Sequence, residues 1–75
     1  MNLTIERDKM SITINIEKDK TIGNLKTNIW LLTDIPFSYI ELTYNGIHLD
    51  NENTLENYHI LIDSKITMNI NIKKH

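Results

Sequence analysis

Apolar residues alternate with polar residues in three stretches of the chain, and this pattern limits what the chain can fold into. The stretches cover residues 1–7, 10–17 and 65–73. Their apolar members are mostly isoleucine, which accounts for 14 of the 75 residues and favours pleated strands. A period of two gives each strand one buried face and one solvent-exposed face. The sequence therefore predicts three strands, of which the first two form an antiparallel hairpin.

The period changes to that of a helix after Thr21. Thr21 is a predicted N-cap, because its hydroxyl can accept a hydrogen bond from an amide of the first turn. We expect the helix to end near Thr33, since the Ile35-Pro36 step that follows favours extended backbone. Apolar residues recur after Thr21 at spacings of three and four, which predicts one apolar helical face formed by Ile22, Leu25, Ile29 and Leu32.

Two further strands are predicted in the second half of the chain, over residues 39–44 and 47–49. Asn45-Gly46 joins them in a tight turn, because both residues tolerate positive φ. Residues 54–58 are predicted to form one capped helical turn before the last strand. This order indicates an α+β fold in which one helix packs across one sheet face. Residues 1–75 contain no repeat or linker, so we expect a single domain.

The residue types that catalytic and metal sites need are sparse in this chain. It has no cysteine, and the spacing of its three histidines, His48, His59 and His75, is not that of a metal site. With only two glycines, no phosphate-binding loop is recognisable. We therefore expect no enzymatic activity, no cofactor and no bound metal.

The location and assembly of the protein are predicted from the same composition. The N-terminal residues lack the apolar run of a signal peptide, and no stretch approaches the roughly 20 apolar residues of a membrane span. The lack of cysteine fits a reducing compartment. A net charge of −2 with mixed signs disfavours general nucleic-acid binding. These features predict a monomer without membrane attachment, in the cytoplasm or the nucleus.

Several short motifs occur in the order found in a known family. With Met1 and the first hairpin they cover residues 1–72, and over this length the chain resembles the ubiquitin family. The resemblance implies a β-grasp roll in the order ββαββ, a short helical turn and β, with a mixed sheet. It also implies that the Tyr58 hydroxyl binds a backbone group. The motifs are Thr21-Ile22, Ile35-Pro36, Asn45-Gly46, Leu49-Asp50 and the run from Leu55 through Tyr58 to Ile60.

The resemblance fails at the residues through which the family is conjugated and recognised. Conjugated members end in Gly-Gly, whereas this sequence has no glycine after Gly46, so we expect it not to be conjugated. Receptors that bury apolar area on the recognition patch of the family would lose most of their affinity. The positions that match this patch are polar here, namely Glu41, Thr43, Thr67 and Asn69.

Apolar residues at other matched positions form the candidate binding site. Trp30 and Leu31 fall on helix positions that are polar in the family. The other apolar residues that replace polar ones are Phe37, Tyr39, Leu61 and Ile62. Trp30 either covers the helix end against Phe37 or Tyr39, or contacts a partner. The positions that match a second apolar patch of the family are Ile35, Ile70 and Ile72.

The favoured hypothesis is a non-catalytic protein-interaction module within a longer protein. Its expected partners are components of the ubiquitin system, the proteasome or the chaperone machinery. The first alternative is a stand-alone modifier truncated before its Gly-Gly. The second is an RNA-binding ubiquitin-like domain of a splicing factor, in which Lys73 and Lys74 contact the nucleic acid, although two phosphate contacts give little affinity.

Overall fold

The computed structural model describes residues 1–72. One twelve-residue helix, α1, packs across a sheet of five strands whose spatial order is β2-β1-β5-β3-β4. This arrangement confirms the α+β fold and the β-grasp order that the sequence predicts. The elements are β1 (Asn2–Arg7), β2 (Met10–Asn15), α1 (Ile22–Thr33), a 3-10 helix at Phe37–Tyr39, β3 (Ile40–Tyr44), β4 (Ile47–His48), a 3-10 helix at Glu56–Tyr58 and β5 (Lys65–Ile70).

The sheet is mixed because the first and last strands of the chain pair at its centre. β1 pairs with β2 in antiparallel register and with β5 in parallel register, where Ile5 lies opposite Ile66. β5 pairs in turn with β3, antiparallel, so that Leu42 lies opposite Met68. These four residues belong to the core between sheet and helix, since alternate residues of each strand face α1. The buried apolar residues are Leu3, Ile5, Ile14, Ile16, Ile22, Leu25, Ile29, Ile40, Leu42, Leu49, Leu55, Ile60, Ile66 and Met68.

β2, β3 and β5 are each shorter than the sequence predicts. β2 ends at Asn15, although Ile16 stays buried and its N–H donates to the carbonyl oxygen of Met1 over 2.9 Å. β3 begins at Ile40, because Tyr39 closes a 3-10 turn in which its N–H donates to the carbonyl oxygen of Pro36. β5 ends at Ile70. Alternation continues past a strand wherever side chains still reach the core, so it does not fix the strand ends.

Both ends of α1 are closed by the groups that the sequence indicates. The Thr21 Oγ1 accepts a hydrogen bond of 3.1 Å from the backbone N–H of Asn24, which confirms the predicted N-cap. The helix ends at Thr33, as expected, and Asp34 follows in the left-handed region with φ of 62°. The Asp34 N–H donates to the carbonyl oxygen of Trp30 over 2.8 Å.

The buried face of α1 differs from the predicted one at its last member. Ile22, Leu25 and Ile29 are fully buried, but Leu32 is 64% exposed. Leu32 is rotated by about 80° from Ile22 around the helix axis, towards β2. Since β2 is one of the two edge strands, no further strand of the described range lies beyond it to cover Leu32. The sequence prediction for Leu32 was therefore wrong, and the side chain of Lys26, only 6% exposed, joins the buried face instead.

The loops after β3 are fixed by local hydrogen bonds. Asn45 and Gly46 have φ of 52° and 80°, which confirms the tight turn between β3 and β4. The Tyr58 hydroxyl oxygen accepts from the backbone N–H of Asp50 over 2.8 Å and from the Asn53 Nδ2 over 3.1 Å. The backbone partner expected for Tyr58 is thus present in the loop that precedes it.

Candidate protein-binding surfaces

The outer face of the sheet, opposite α1, is polar in every row of paired residues. Strand register defines the rows, because directly opposite residues share one face. Asn69 lies beside Glu41 at one end of the face, and Lys65 lies beside Thr4 nearer the other end. The central row runs across all five strands through Ser11, Glu6, Thr67, Thr43 and His48. We call this surface the outer sheet face.

Charges of both signs on the outer sheet face are paired with neighbours. The Lys65 Nζ lies 3.8 Å from a Glu6 carboxylate oxygen, and the Asn71 Nδ2 donates to the Glu41 carboxylate over 3.2 Å. Both contacts are solvent-exposed, so they contribute little to stability. The face therefore offers a partner hydrogen-bonding groups and mixed charge, with almost no apolar area to bury.

Large apolar side chains are exposed elsewhere, in separate regions of the molecule. Ile47 lies on β4, and Ile72 lies just after β5. Three consecutive residues, 30–32, are exposed at the C-terminal end of α1, and two more, 61 and 62, are exposed in the loop before β5. The exposed side chains are Trp30, Leu31, Leu32, Ile47, Leu61, Ile62 and Ile72.

The backbone segments that carry three of the candidate residues meet where β3 starts and β5 ends. The Asn71 N–H donates to the carbonyl oxygen of Tyr39 over 2.8 Å, and Ile70 lies opposite Ile40 in the sheet. Tyr39 and Ile70 are half-buried, while Ile72 is 61% exposed. We call Tyr39, Ile70 and Ile72 the β5-end patch. Ile35 is also half-buried but packs against the core, so little of it is available to a partner.

A family-wide sequence model for the ubiquitin family matches residues 3–73. The chain belongs to the ubiquitin family. No individual curated protein matches the chain at a significant level. In this ubiquitin-like domain the residues matched to the apolar recognition patch of the family all lie on the outer sheet face. These are Glu41, Thr43, Thr67 and Asn69, of which the first two are half-buried and the last two exposed.

Phe37 lies beside α1 on the side of the ubiquitin-like fold nearer to β3 and β4, where it borders a shallow pocket with Ile40 and His48. The Lys26 Nζ lies over the Phe37 ring, 5.8 Å from its centroid, a distance suited to a cation–π contact. Trp30 follows Lys26 by one helical turn and is 46% exposed. More than half of its surface is therefore covered within the domain, and the remainder is open to a partner.

Leu31 lies apart from the other candidate residues. Together with Leu32 it borders a shallow groove of about 340 Å³ between α1 and the edge strand β2. The β5-end patch lies at the other side of β1, on β5 and the segment before β3. Leu31 and Trp30 are adjacent in the sequence, but consecutive helical residues point about 100° apart, so the two side chains do not share one surface.

Leu61 and Ile62 form a further exposed apolar pair that the sequence-based site did not include. The Leu61 N–H donates to the Ser64 Oγ over 3.0 Å, and the Ser64 Oγ donates back to the Leu61 carbonyl oxygen over 2.6 Å. The Asp63 N–H donates to the carbonyl oxygen of Asn2. The turn is thus held by hydrogen bonds rather than by burial of its apolar side chains. Two adjacent apolar residues in a loop are the sequence signal for such a pair.

The described residues contain neither a metal site nor a spanning helix. Within residues 1–72, no group of three or more His, Cys, Asp or Glu side chains is arranged to hold a metal ion. No helix in the same range is long and apolar enough to cross a membrane. Lys73 and Lys74, the residues of the predicted RNA contact, lie outside the described range.

Proposed function

We propose that this ubiquitin-like domain is a non-catalytic protein-interaction module that binds its partner through the β5-end patch and not through the outer sheet face. Membership of the ubiquitin family supports a role in recognising proteins. The proposed partners are components of the ubiquitin system, the proteasome or the chaperone machinery, in the cytoplasm or nucleus. Binding of this kind needs no covalent conjugation, because the surfaces concerned lie within the folded domain.

The observation that carries the proposal is the polar outer sheet face beside an exposed Ile72. Apolar area buried on binding contributes roughly 25 cal/mol per Å². The central row of the outer sheet face, from Ser11 to His48, contains no apolar side chain that could contribute in this way. Ile72 is 61% exposed, and the backbone of its neighbour Asn71 is hydrogen-bonded to Tyr39, whose aromatic ring is of the type enriched in interface hot spots.

A titration followed by amide chemical shifts tests the proposal. The labelled domain is titrated with purified ubiquitin-receptor domains and with proteasomal receptor domains, one at a time. The expected shifts centre on Tyr39, Ile70 and Ile72. Shifts that centre on Thr43, Thr67 and Asn69 at micromolar affinity would show that the outer sheet face is the docking surface, and the proposal would then be abandoned.

A matched pair of variants distinguishes a partner contact at Ile72 from a partner contact at Ile47. Ile72→Asp and Ile47→Asp each place a carboxylate on an isoleucine that is more than half exposed. Neither side chain contributes to the core, so both variants should fold. Ile72→Asp is expected to weaken binding at least about tenfold, as for the loss of an interface anchor, while Ile47→Asp leaves the affinity within about twofold.

A further inference from the structure

β2 is a free edge strand. It hydrogen-bonds only to β1 in the described part of the chain, and the strand order places nothing on its other side. In an antiparallel pair, the backbone N–H and C=O groups of alternate residues point away from the partner strand. On β2 these groups face solvent, and an unpaired row of this kind is a template for another strand.

The usual protections of an edge strand are missing from β2. Natural edges are blocked by charged residues, by proline, by bulges or by being very short. The six residues of β2, Met10–Asn15, include no charge and no proline. Its register with β1 is one-to-one from Asn2↔Asn15 to Arg7↔Met10, without a bulge. The opposite edge, β4, has only two residues and is protected by its shortness.

The charges on either side of β2 indicate which strand pairs with it. Lys9 directly precedes β2, and Glu17 directly follows Ile16, the last buried side chain of this segment. A second copy of β2 that runs antiparallel sets the Lys9 of each copy near the Glu17 of the other. We propose that two copies of this chain pair antiparallel through β2, forming one continuous sheet about a two-fold axis.

One register satisfies both the side chains and the charges. With Thr13 on the two-fold axis, Ile12 of one copy lies opposite Ile14 of the other, on the face that bears α1. The same register brings Lys9, directly before β2, level with Glu17 of the second copy, and both residues are exposed.

The exposed leucines of α1 lie beside this interface. A two-fold axis normal to the sheet places both helices on the same face of the joined sheet. The groove lined by Thr13, Ile14 and Asn15 is bordered by Leu31, 75% exposed, and Leu32, 64% exposed. In the dimer the grooves of the two copies adjoin, so the leucines of both helices border a single depression over the paired strands.

This inference is independent of the proposed function, because β2 and the β5-end patch are separate surfaces. Sedimentation velocity over a dilution series up to about 1 mM tests it. The expected result is a weight-average mass that rises from 8.8 kDa towards twice that value. A mass that stays at 8.8 kDa over the whole series overturns the proposal.

Two variants test the location of the interface. Thr13→Lys places two like charges at the two-fold axis, whereas Thr67→Lys places a lysine at another exposed threonine, on the outer sheet face and away from β2. Thr13→Lys is expected to weaken dimerisation at least about tenfold, and Thr67→Lys to change it less than about twofold. Equal effects of the two variants overturn the proposal.

A charge exchange tests the antiparallel register. Lys9→Glu alone sets its new carboxylate beside Glu17 of the second copy, and Glu17→Lys alone sets its new ammonium beside Lys9 of the second copy. Each variant should therefore dimerise about fivefold more weakly than the parent protein.

An equimolar mixture of the two variants should regain the dimer. In the mixed pair the new carboxylate lies beside the new ammonium, and the unchanged Glu17 of one copy lies beside the unchanged Lys9 of the other. Failure of the mixture to dimerise more strongly than either variant alone rules out the proposed register, and circular dichroism verifies that both variants are folded.

Discussion

The hydroxyl oxygen of Tyr58 accepts a hydrogen bond of 2.8 Å from the backbone N–H of Asp50, eight residues earlier in the chain. The same oxygen accepts from the Asn53 side chain, so one phenol fixes the loop between β4 and the second 3-10 helix. The ring of Tyr58 packs against the core, which holds the hydroxyl in place. Core packing and loop conformation are thus coupled through a single residue.

Tyr58→Phe should destabilise the domain while leaving its fold intact. The substitution keeps the ring and removes both hydrogen bonds, and we expect the free energy of unfolding to fall by about 1 kcal/mol. Urea denaturation measures the change. Tyr44→Phe is the control, because the Tyr44 hydroxyl makes no hydrogen bond to the described residues, and a similar loss in both variants would refute the anchoring role.

Leu25→Ala and Leu32→Ala should differ sharply, although both residues were predicted on the same helical face. Leu25 is fully buried, so its truncation leaves a cavity and should cost about 2–5 kcal/mol. Leu32 is 64% exposed, and its truncation should change stability by about 0.5 kcal/mol or less. Thermal denaturation compares the two variants, and similar melting temperatures would contradict the helix orientation described above.

Gly46→Ala should be destabilising for backbone reasons alone. The residue has φ of 80°, and a Cβ added there would meet no atom within 4 Å. The left-handed conformation costs a residue with a Cβ about 1–2 kcal/mol, and this is the expected loss. Asn45→Gly at the neighbouring position, φ 52°, provides the control. It should change stability by no more than about 0.5 kcal/mol in chemical denaturation, because Asn already tolerates the left-handed region.

Thr21→Ala should weaken the start of α1. The Thr21 Oγ1 accepts from the Asn24 N–H, and the loss of this cap should cost about 1 kcal/mol. Thr21→Ser keeps an oxygen in reach of the same N–H and should remain within about 0.5 kcal/mol of the parent protein. Hydrogen exchange of the first-turn amides reports the effect locally, and faster exchange in both variants alike would argue against the cap.

Structural features that depend on residues close together in the sequence could be predicted. The burial of Ile14 and Met68 follows from alternation, the cap at Thr21 from its hydroxyl, and the turn at Asn45-Gly46 from the tolerance of both residues for positive φ. Each of these features is decided by a few consecutive residues.

Features that depend on the order of strands could not be predicted in this way. Leu32 has the spacing of a core residue but is exposed because β2 is an edge strand. Lys26 has a charged side chain but is buried, with its ammonium over the Phe37 ring. Leu31 is separated from the β5-end patch for the same reason, because it lies beside β2 and the patch lies beyond β1. No local sequence pattern indicates which strand lies at the edge of the sheet. The candidate binding surface could therefore be predicted only in part.

The central position of β5 also bears on how the protein is made. Within residues 1–72, β5 alone joins the β1–β2 hairpin to the β3–β4 pair, and Ile5 of β1 lies about 60 residues before its partner Ile66 in the chain. During translation the hairpin leaves the ribosome long before β5 does, and it has no other strand to bond to. The sheet can therefore close only after the last strand has been released, and until then each half exposes an open edge to chaperones and to neighbouring nascent chains.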